Sequence, residues 1–418
     1  MILEQSMPLR RIFRVVNGGT PAAADENWGG PIPWATPIDV GAADRTIART
    51  QRTLTSLGAR TGSRIVPEGS LILSTRAPIG YVAISDTELA FNQGCRALVP
   101  AVPLDIRFFY YQLSSAAPRL QSLGQGSTFQ ELSSDALENY VVHVPELDEQ
   151  RRIADFLDVE LSHLAALERA RRRQRDLLAE RWQATVTKLV TRGADDKVDI
   201  RKVENPAFDA IPASWSLVPL KRRWRIIDCK HRTPTYVADG YPVVSPGDVT
   251  PGRLDLTRAH RFVGKDDFRD LADDLRRPRR GDIVYSRNAS VGIAAYVDTD
   301  DPFTMGQDVC RITSADQNQL YLTHFLNSVA TPQLEQMQIG STFSRVNIGA
   351  LLELQVPCPP RPEQDRIVAR LDEGQRRVDS LHGLLTEQIA LIAERRQALI
   401  TVATTGQIDV RTARGTDE

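Results

Sequence analysis

Two short polar steps between apolar runs carry the residue types best suited to reading nucleic-acid bases. Thr75-Arg76 follows Leu71-Ile-Leu-Ser74, and Arg287-Asn288 follows Ile283-Val-Tyr-Ser286. A guanidinium forks onto guanine O6 and N7, and a carboxamide onto adenine N6 and N7. At a strand-to-strand turn such side chains are displayed, although an ordinary exposed turn has the same pattern. Asn92-Gln93 with Arg96, and Gln307 with Arg311, follow the next apolar run in each region. Ser127 and Thr128 in Gly126-Ser-Thr-Phe129, and Ser341 and Thr342 in Gly340-Ser-Thr-Phe343, offer hydroxyl and backbone N–H groups to phosphate. The same tetrapeptides also suit structural turns with Phe129 and Phe343 in the core. Arg10-Arg11 with Arg14, Lys221-Arg222-Arg223 with Arg225, and Arg276-Arg277 with Arg279-Arg280 suit either phosphates or a solvated face. The run Arg169, Arg171–Arg173 and Arg175 is most simply a solvated helix face.

Catalytic signatures are missing. The chain has no G-x-x-x-x-G-K-[ST], no H-E-x-x-H and no G-x-S-x-G. Asn205-Pro-Ala-Phe208 differs by one residue from the N-P-P-[FY] motif with which adenine methyltransferases hold a flipped base, and no glycine-rich cofactor loop precedes it. Cys95, Cys229, Cys310 and Cys358 are far apart, so they read as reduced thiols of a cytoplasmic protein. Cys229 and His231 would be only half of a tetrahedral metal site, and we expect no metal. No apolar run reaches membrane-spanning length. With 52 basic and 53 acidic residues the net charge is -1, which excludes a uniformly basic nucleic-acid sleeve but not a local basic surface. Only six of the cations are lysine. The 418 residues are 41% hydrophobic and 25% charged, which fits two or three globular domains.

The elements that must position these residues occur twice. Residues 126–189 and 340–403, offset by 214, share 23 identities in 64 positions. Gly69–Gly80 resembles Gly281–Gly292, and Ile32–Val40 resembles Tyr241–Val249. Val198-Asp-Ile-Arg201 returns as Ile408-Asp-Val-Arg411. A unit of about 210 residues is a duplicated domain, not a solenoid repeat. Each unit begins as a mixed α/β (α+β) domain. Ser70–Ser74, Gly80–Ile84 and Ile283–Tyr285 read as strands, and Ile106–Leu113 and Leu320–Ser328 as short helices. Each ends in a long helix that begins near Pro145 or Pro359-Pro360. We assign 1–145 and 216–358 to the domains, 146–190 and 359–403 to the helices, 191–215 to a linker and 404–418 to a tail.

Both helices carry a seam stepping by four and three. The second holds Ile367, Leu371, Gly374, Val378, Leu381, Leu385, Gln388, Ile392, Arg395, Leu399 and Val402. The first holds Ile153, Leu157, Glu160, Leu164, Leu167, Arg171, Gln174, Leu178, Arg181, Thr185 and Lys188. A repeat of 3.5 residues is the coiled-coil pattern, with Gln174 and Gln388 as register-setting polar positions. Neither seam buries itself, so we expect the helices to pair antiparallel about a pseudo-twofold axis. At about 38 residues each, they would span about 57 Å.

Asn17-Gly-Gly-Thr-Pro21, then Trp28-Gly-Gly-Pro-Ile-Pro-Trp34 with Asp39, looks like the opening of a target recognition domain. Arg76-Ala-Pro-Ile-Gly80 followed by Asn92-Gln-Gly-Cys95 fits the same pattern, as does the passage from Gly126-Ser-Thr-Phe129 through Pro145 and Glu149-Gln150 to Ile153. In the order domain, helix, domain, helix, nearly the whole chain resembles the specificity (S) subunit of type I restriction-modification systems. The second unit departs at its start, where Arg232-Thr-Pro234 and Val243 replace Gly-Gly-Thr-Pro and Trp34. The resemblance implies a non-catalytic, DNA-binding subunit whose two domains read a bipartite asymmetric site in double-stranded DNA. It implies that the helices bind two methyltransferase (M) subunits, and that restriction (R) subunits complete the complex. It also implies that S-adenosylmethionine, ATP and Mg belong to those partners, with no cofactor on this chain and no membrane. The residues also fit two ligand-binding domains on a coiled-coil strut without a DNA role, or an enzyme with an unfamiliar site.

Overall fold

The computed structural model describes residues 6–125, 130–195, 197–288, 292–337 and 346–410. The chain forms two compact units, one from residues 1–172 and 386–418 and the other from 173–385.

In the first unit, Phe13–Asn17, Cys95–Pro100, Leu71–Ser74, Val82–Ser85 and Thr46–Ile47 form a five-stranded sheet in that order. Its neighbours are antiparallel except for the last pair. In the second unit, Arg225–Asp228, Val309–Thr313, Ile283–Ser286, Ile293–Tyr296 and Gly252–Arg253 repeat this order and these directions. A smaller four-stranded sheet accompanies each. In the first unit it pairs Trp28–Ala35 in parallel with Leu89–Phe91, and in the second Tyr241–Val244 in parallel with Thr304–Met305.

Leu71–Ser74 is buried throughout because its two faces enter different cores. Leu71 and Leu73 pack with Phe108, Phe109 and Leu113 of the helix Ile106–Ser115, whereas Ile72 packs with Ala35, Leu89 and Phe91. The period-two alternation of a strand requires this split. In the second unit Ile283 and Tyr285 face Tyr321, Leu322 and Phe325 of the helix Gln319–Ser328, and Val284 faces the opposite cluster. A run that is apolar on both faces therefore marks a strand between two layers.

The long helices are Leu147–Arg192 and Arg361–Thr404. With 46 and 44 residues they exceed the expected 38, and at 1.5 Å per residue they span about 69 and 66 Å. Gly193 and Gly406, both at positive φ, follow their C-termini, where a left-handed residue closes a helix without a Cβ penalty. Within each unit the two helices run antiparallel. In the second, Trp182 lies against Gly374 and Gln375, and eleven and twelve residues later Gly193 and Ala194 meet Glu363 and Arg370. In the first, His143 neighbours Gly406, and Leu161, Ala165 and Arg169 share a cleft with Arg396.

The seam drifts from its expected positions. Ile153, Leu157, Leu164, Ile367, Leu371 and Ile392 are buried, and Leu178, Val378, Leu385 and Leu399 are partly buried. Leu167 and Leu381 are 42% and 49% exposed, and Gln174 and Gln388 are also exposed, so none of these four is a core position. The neighbouring residues Leu161, Val186, Leu189, Ile400 and Ala403 are buried instead. An unsupercoiled helix turns a 3.5-residue repeat by about 20° per heptad, which moves the stripe to the next residue. The expected linker contains a hairpin in which Ile200–Lys202 pairs with Ala210–Pro212.

Candidate nucleic-acid interface

In the first unit the motifs from distant parts of the sequence meet at one end of the five-stranded sheet. Arg96 pairs with Asn17 across adjacent strands. Its guanidinium donates to Ser134 Oγ at 3.0 Å, to the carbonyls of Gln93 and Cys95 at 2.9 and 3.0 Å, and to Glu131 at 3.3 Å. Ser134 Oγ in turn donates to Asn17 Oδ1 at 2.8 Å. Arg76 reaches the same carboxylate, with Nε 3.1 Å from Glu131 Oε2. The exposed Gln93 carboxamide accepts from Thr20 of the Gly-Gly-Thr-Pro loop. That loop needs glycine at 18, because a Cβ there would lie 2.0 Å from the Asn92 carbonyl.

Not every expected contact residue is displayed. Thr75 is fully buried, and its N–H donates to the Gly94 carbonyl. Asn92 is partly buried, and its Oδ1 accepts from Gly94 N–H, which stabilises its own turn. Arg76, 47% exposed at its side chain, and Gln93 are the groups presented outward, while Arg96 at 12% holds the cluster together.

The second unit builds the corresponding cluster from different residues. Arg287 N–H donates to the Asp308 carbonyl as Thr75 does to Gly94, and Val346 N–H donates to Arg287 as Leu132 does to Thr75. Arg287 therefore occupies the Thr75 position. It is a buried cation, only 5% exposed at its side chain, lying 3.0 Å from Asp228 and 3.8 Å from Asp308. Asn288 is partly buried and donates to Asp308 at 3.2 Å. Gln307 is exposed and bonds Thr233 at 3.0 Å, matching the Gln93–Thr20 pair.

Arg311 is not the counterpart of Arg96. The register pairs Cys310 with Asp228 as it pairs Arg96 with Asn17, so Arg311 is one residue further on and points to the opposite face. There it is buried, bound to Asp282 at 2.6 and 3.2 Å and to the Leu275 carbonyl at 2.7 Å. Ser127, Thr128, Ser341 and Thr342 lie outside the described residues.

Asn17, Thr20, Glu131, Ser134, Asp228, Thr233 and Asp308 were not singled out as contact residues by the sequence reading. Their only signal was proximity to the repeated motifs. Asp228, Cys229 and His231 bring ligand-type atoms within 4.8 Å of one another, closer than incidental spacing suggested. However, Asp228 already accepts the Arg287 cation, and burial pushes the Cys229 thiol pKa up. The set is poorly suited to hold a metal. All four cysteines are buried and unbridged. No helix among the described residues is long and apolar enough to cross a membrane.

Two repeated α/β domains, each continued by a long helix and each presenting a polar cluster at the end of its central sheet, define a class of paired recognition modules. A family model described as the type I restriction modification DNA specificity domain matches residues 4–174 and 229–390, and the chain belongs to that family. It is 36% identical over 154 residues to the type I restriction enzyme MjaIX specificity subunit of Methanocaldococcus jannaschii, a match that spans 36% of each chain. To the EcoBI specificity subunit of Escherichia coli it is 24% identical over 368 residues, covering 82% of this chain and 76% of that relative. Among solved structures, the HsdS subunit from Thermoanaerobacter tengcongensis superposes with a TM-score of 0.59 at 18% identity, covering 96% of this chain and 97% of that one. A chain from a structure of the type I R-M system reaches 0.72 at 17% identity, covering 96% and 98%. At these identities the structural likeness speaks for the fold alone.

Proposed function

We propose that this chain is the DNA sequence-recognition subunit of a type I restriction-modification complex. Each unit reads one half of a bipartite, asymmetric double-stranded site through the cluster at the end of its sheet. The observation that carries this reading is the duplication of that cluster on one scaffold with altered residues. A shared Thr–Gln bond and shared backbone bonds frame Arg76 with Arg96 in one unit and Arg287 with Asn288 in the other. Equal frames with unequal side chains suit two half-sites of different sequence, because frames position and base-edge contacts specify.

The long helices bind two methyltransferase subunits, one for each unit, and restriction subunits join through them. Apolar side chains left exposed on the helices, including Val159, Leu177, Leu384 and Leu391, support such a role. The chain is non-catalytic and acts in the cytoplasm. S-adenosylmethionine, ATP and Mg act on the partner subunits, whose chemistry supplies adenine methylation and DNA cleavage.

The test is co-purification with the cognate methyltransferase subunit, followed by DNA-binding measurements across a salt series. Two methyltransferase chains per specificity chain, with sequence-dependent binding that weakens steeply as salt rises, support the proposal. A saturated one-to-one complex contradicts the paired docking, and binding indifferent to sequence contradicts the recognition role.

A further inference from the structure

We infer that Glu131 is a specificity-determining residue that gates Arg76, an inference that rests on the proposed DNA-reading role of the first unit. Its carboxylate is shared. Oε1 lies 3.3 Å from Arg96, and Oε2 lies 3.1 Å from Arg76. The two cations are held very differently. Arg96 is nearly buried and also bonds Ser134 and two carbonyls, so it stays in place without Glu131. Arg76 is half exposed, and Glu131 is its ionic partner. The carboxylate is itself anchored, because Glu131 and Gln125 exchange both backbone hydrogen bonds at 3.0 Å.

Arg76 meets Glu131 through Nε, so its terminal N–H groups can reach DNA only with the fixed carboxylate close beside them. A backbone phosphate is a poor partner, because it brings a second anion toward Glu131, and like charges repel at an interface. A guanine edge offers O6 and N7 as neutral acceptors to the guanidinium fork, so Arg76 can turn to it while Glu131 keeps Arg96. Glu131 thereby suppresses non-specific binding and favours the base contact. Among the described residues of the second unit this arrangement does not recur. Arg345 is aligned with Glu131 at the 214-residue offset, and the Arg76 position is taken by the neutral Asn288, which donates to Asp308 at 3.2 Å. The gate therefore acts on one half-site.

The experiment uses the full chain in complex with its methyltransferase subunits. Three duplexes serve as probes: the site found by mapping methylated adenines, the same site with its first half scrambled, and the same site with its second half scrambled. Glu131→Gln should tighten binding to the first-half scramble and reduce discrimination at that half about tenfold, with a steeper salt dependence. Discrimination at the second half should not change. Glu131→Asp should retain most of the wild-type behaviour, and the Glu131→Gln effect should vanish in an Arg76→Ala background. Unchanged first-half discrimination, or equal loss at both halves, overturns the gate. Should Glu131→Gln fail to fold, Arg76→Gln probes the same pair: it should weaken the cognate site more than the first-half scramble, and equal weakening of both overturns the gate. If the wild-type complex shows no sequence preference, the recognition role itself fails, independently of Glu131.

Discussion

Gln150 and Gln364, 214 positions apart, occupy the same hydrogen-bonded position in their two units. Gln150 Oε1 accepts the Asp105 N–H at 2.9 Å while its Nε2 donates to the Pro145 carbonyl at 2.8 Å. Gln364 accepts the Asn318 N–H at 2.8 Å and donates to the Pro359 carbonyl at 2.9 Å. Each buried amide ties the first turn of a long helix both to the strand exit before it and to the N-terminus of the short helix that covers the sheet. The repeated Glu-Gln pair thus marks a joint between a domain and its own helix.

Gln150→Ala or Gln364→Ala should cost its own unit about 2–6 kcal/mol, since each strands a partly buried N–H and a buried carbonyl at about 1–3 kcal/mol apiece. Tryptophan fluorescence during urea unfolding separates the units, because Trp28 and Trp34 lie in the first and Trp182, Trp215 and Trp224 in the second. A loss shared equally by both units would contradict the local joint.

Arg311→Ala and Arg76→Ala should differ in kind. Arg311 neutralises Asp282, whose side chain is 5% exposed, and removing one partner of a buried pair costs about 3–5 kcal/mol. Arg76 belongs to an exposed pair worth about 0–1 kcal/mol, so its loss should leave the melting temperature nearly unchanged. Arg76→Ala should instead remove about 1–3 kcal/mol of discrimination at the first half-site. Paired melting and DNA-binding measurements check both.

Gly374→Ala should loosen the helix pair of the second unit. The Trp182 ring fills the space above Gly374, where a Cβ would lie 2.5 Å from the ring, and Trp182 Nε1 donates to Gln375 at 2.7 Å. Overpacking of this kind costs about 1–3 kcal/mol, visible in the unfolding of the second unit and as a change in Trp182 emission.

Acid should destabilise the second unit through His324. Burial holds its pKa below the usual 6.5; Asp372 opposes this and Arg253 adds to it. The unfolded chain therefore takes up the proton first, so stability is complete above about 6.5 and declines as pH falls below that value. His324→Gln should flatten the acid-side slope of the second unit and leave that of the first unchanged. His143 should give the first unit a similar dependence, since burial lowers its pKa as well.

The duplication and the main strands could be read directly, because buried apolar runs and the Gly-Ser-Thr-Phe segments repeat in the same order in both halves. The site was only partly legible, for reasons of parity and distance. Gln93 and Arg96 are three positions apart but Gln307 and Arg311 four, and on a strand that single residue reverses the face. Glu131 joins Arg76 and Arg96 from 55 and 35 positions away, a relation no local pattern reveals. Trp182 escaped notice because a strict 3.5-residue count places Arg181 on the seam, whereas Trp182 meets Gly374.

The most direct test of two readers on one chain is to map methylated adenines in DNA from cells that express this protein with its methyltransferase subunit. One asymmetric motif is expected, made of two short specific segments separated by a fixed non-specific gap, and Arg76→Ala should relax the bases of only one segment. A single continuous motif, a motif in which Arg76→Ala relaxes both segments, or methylation without sequence preference would contradict it.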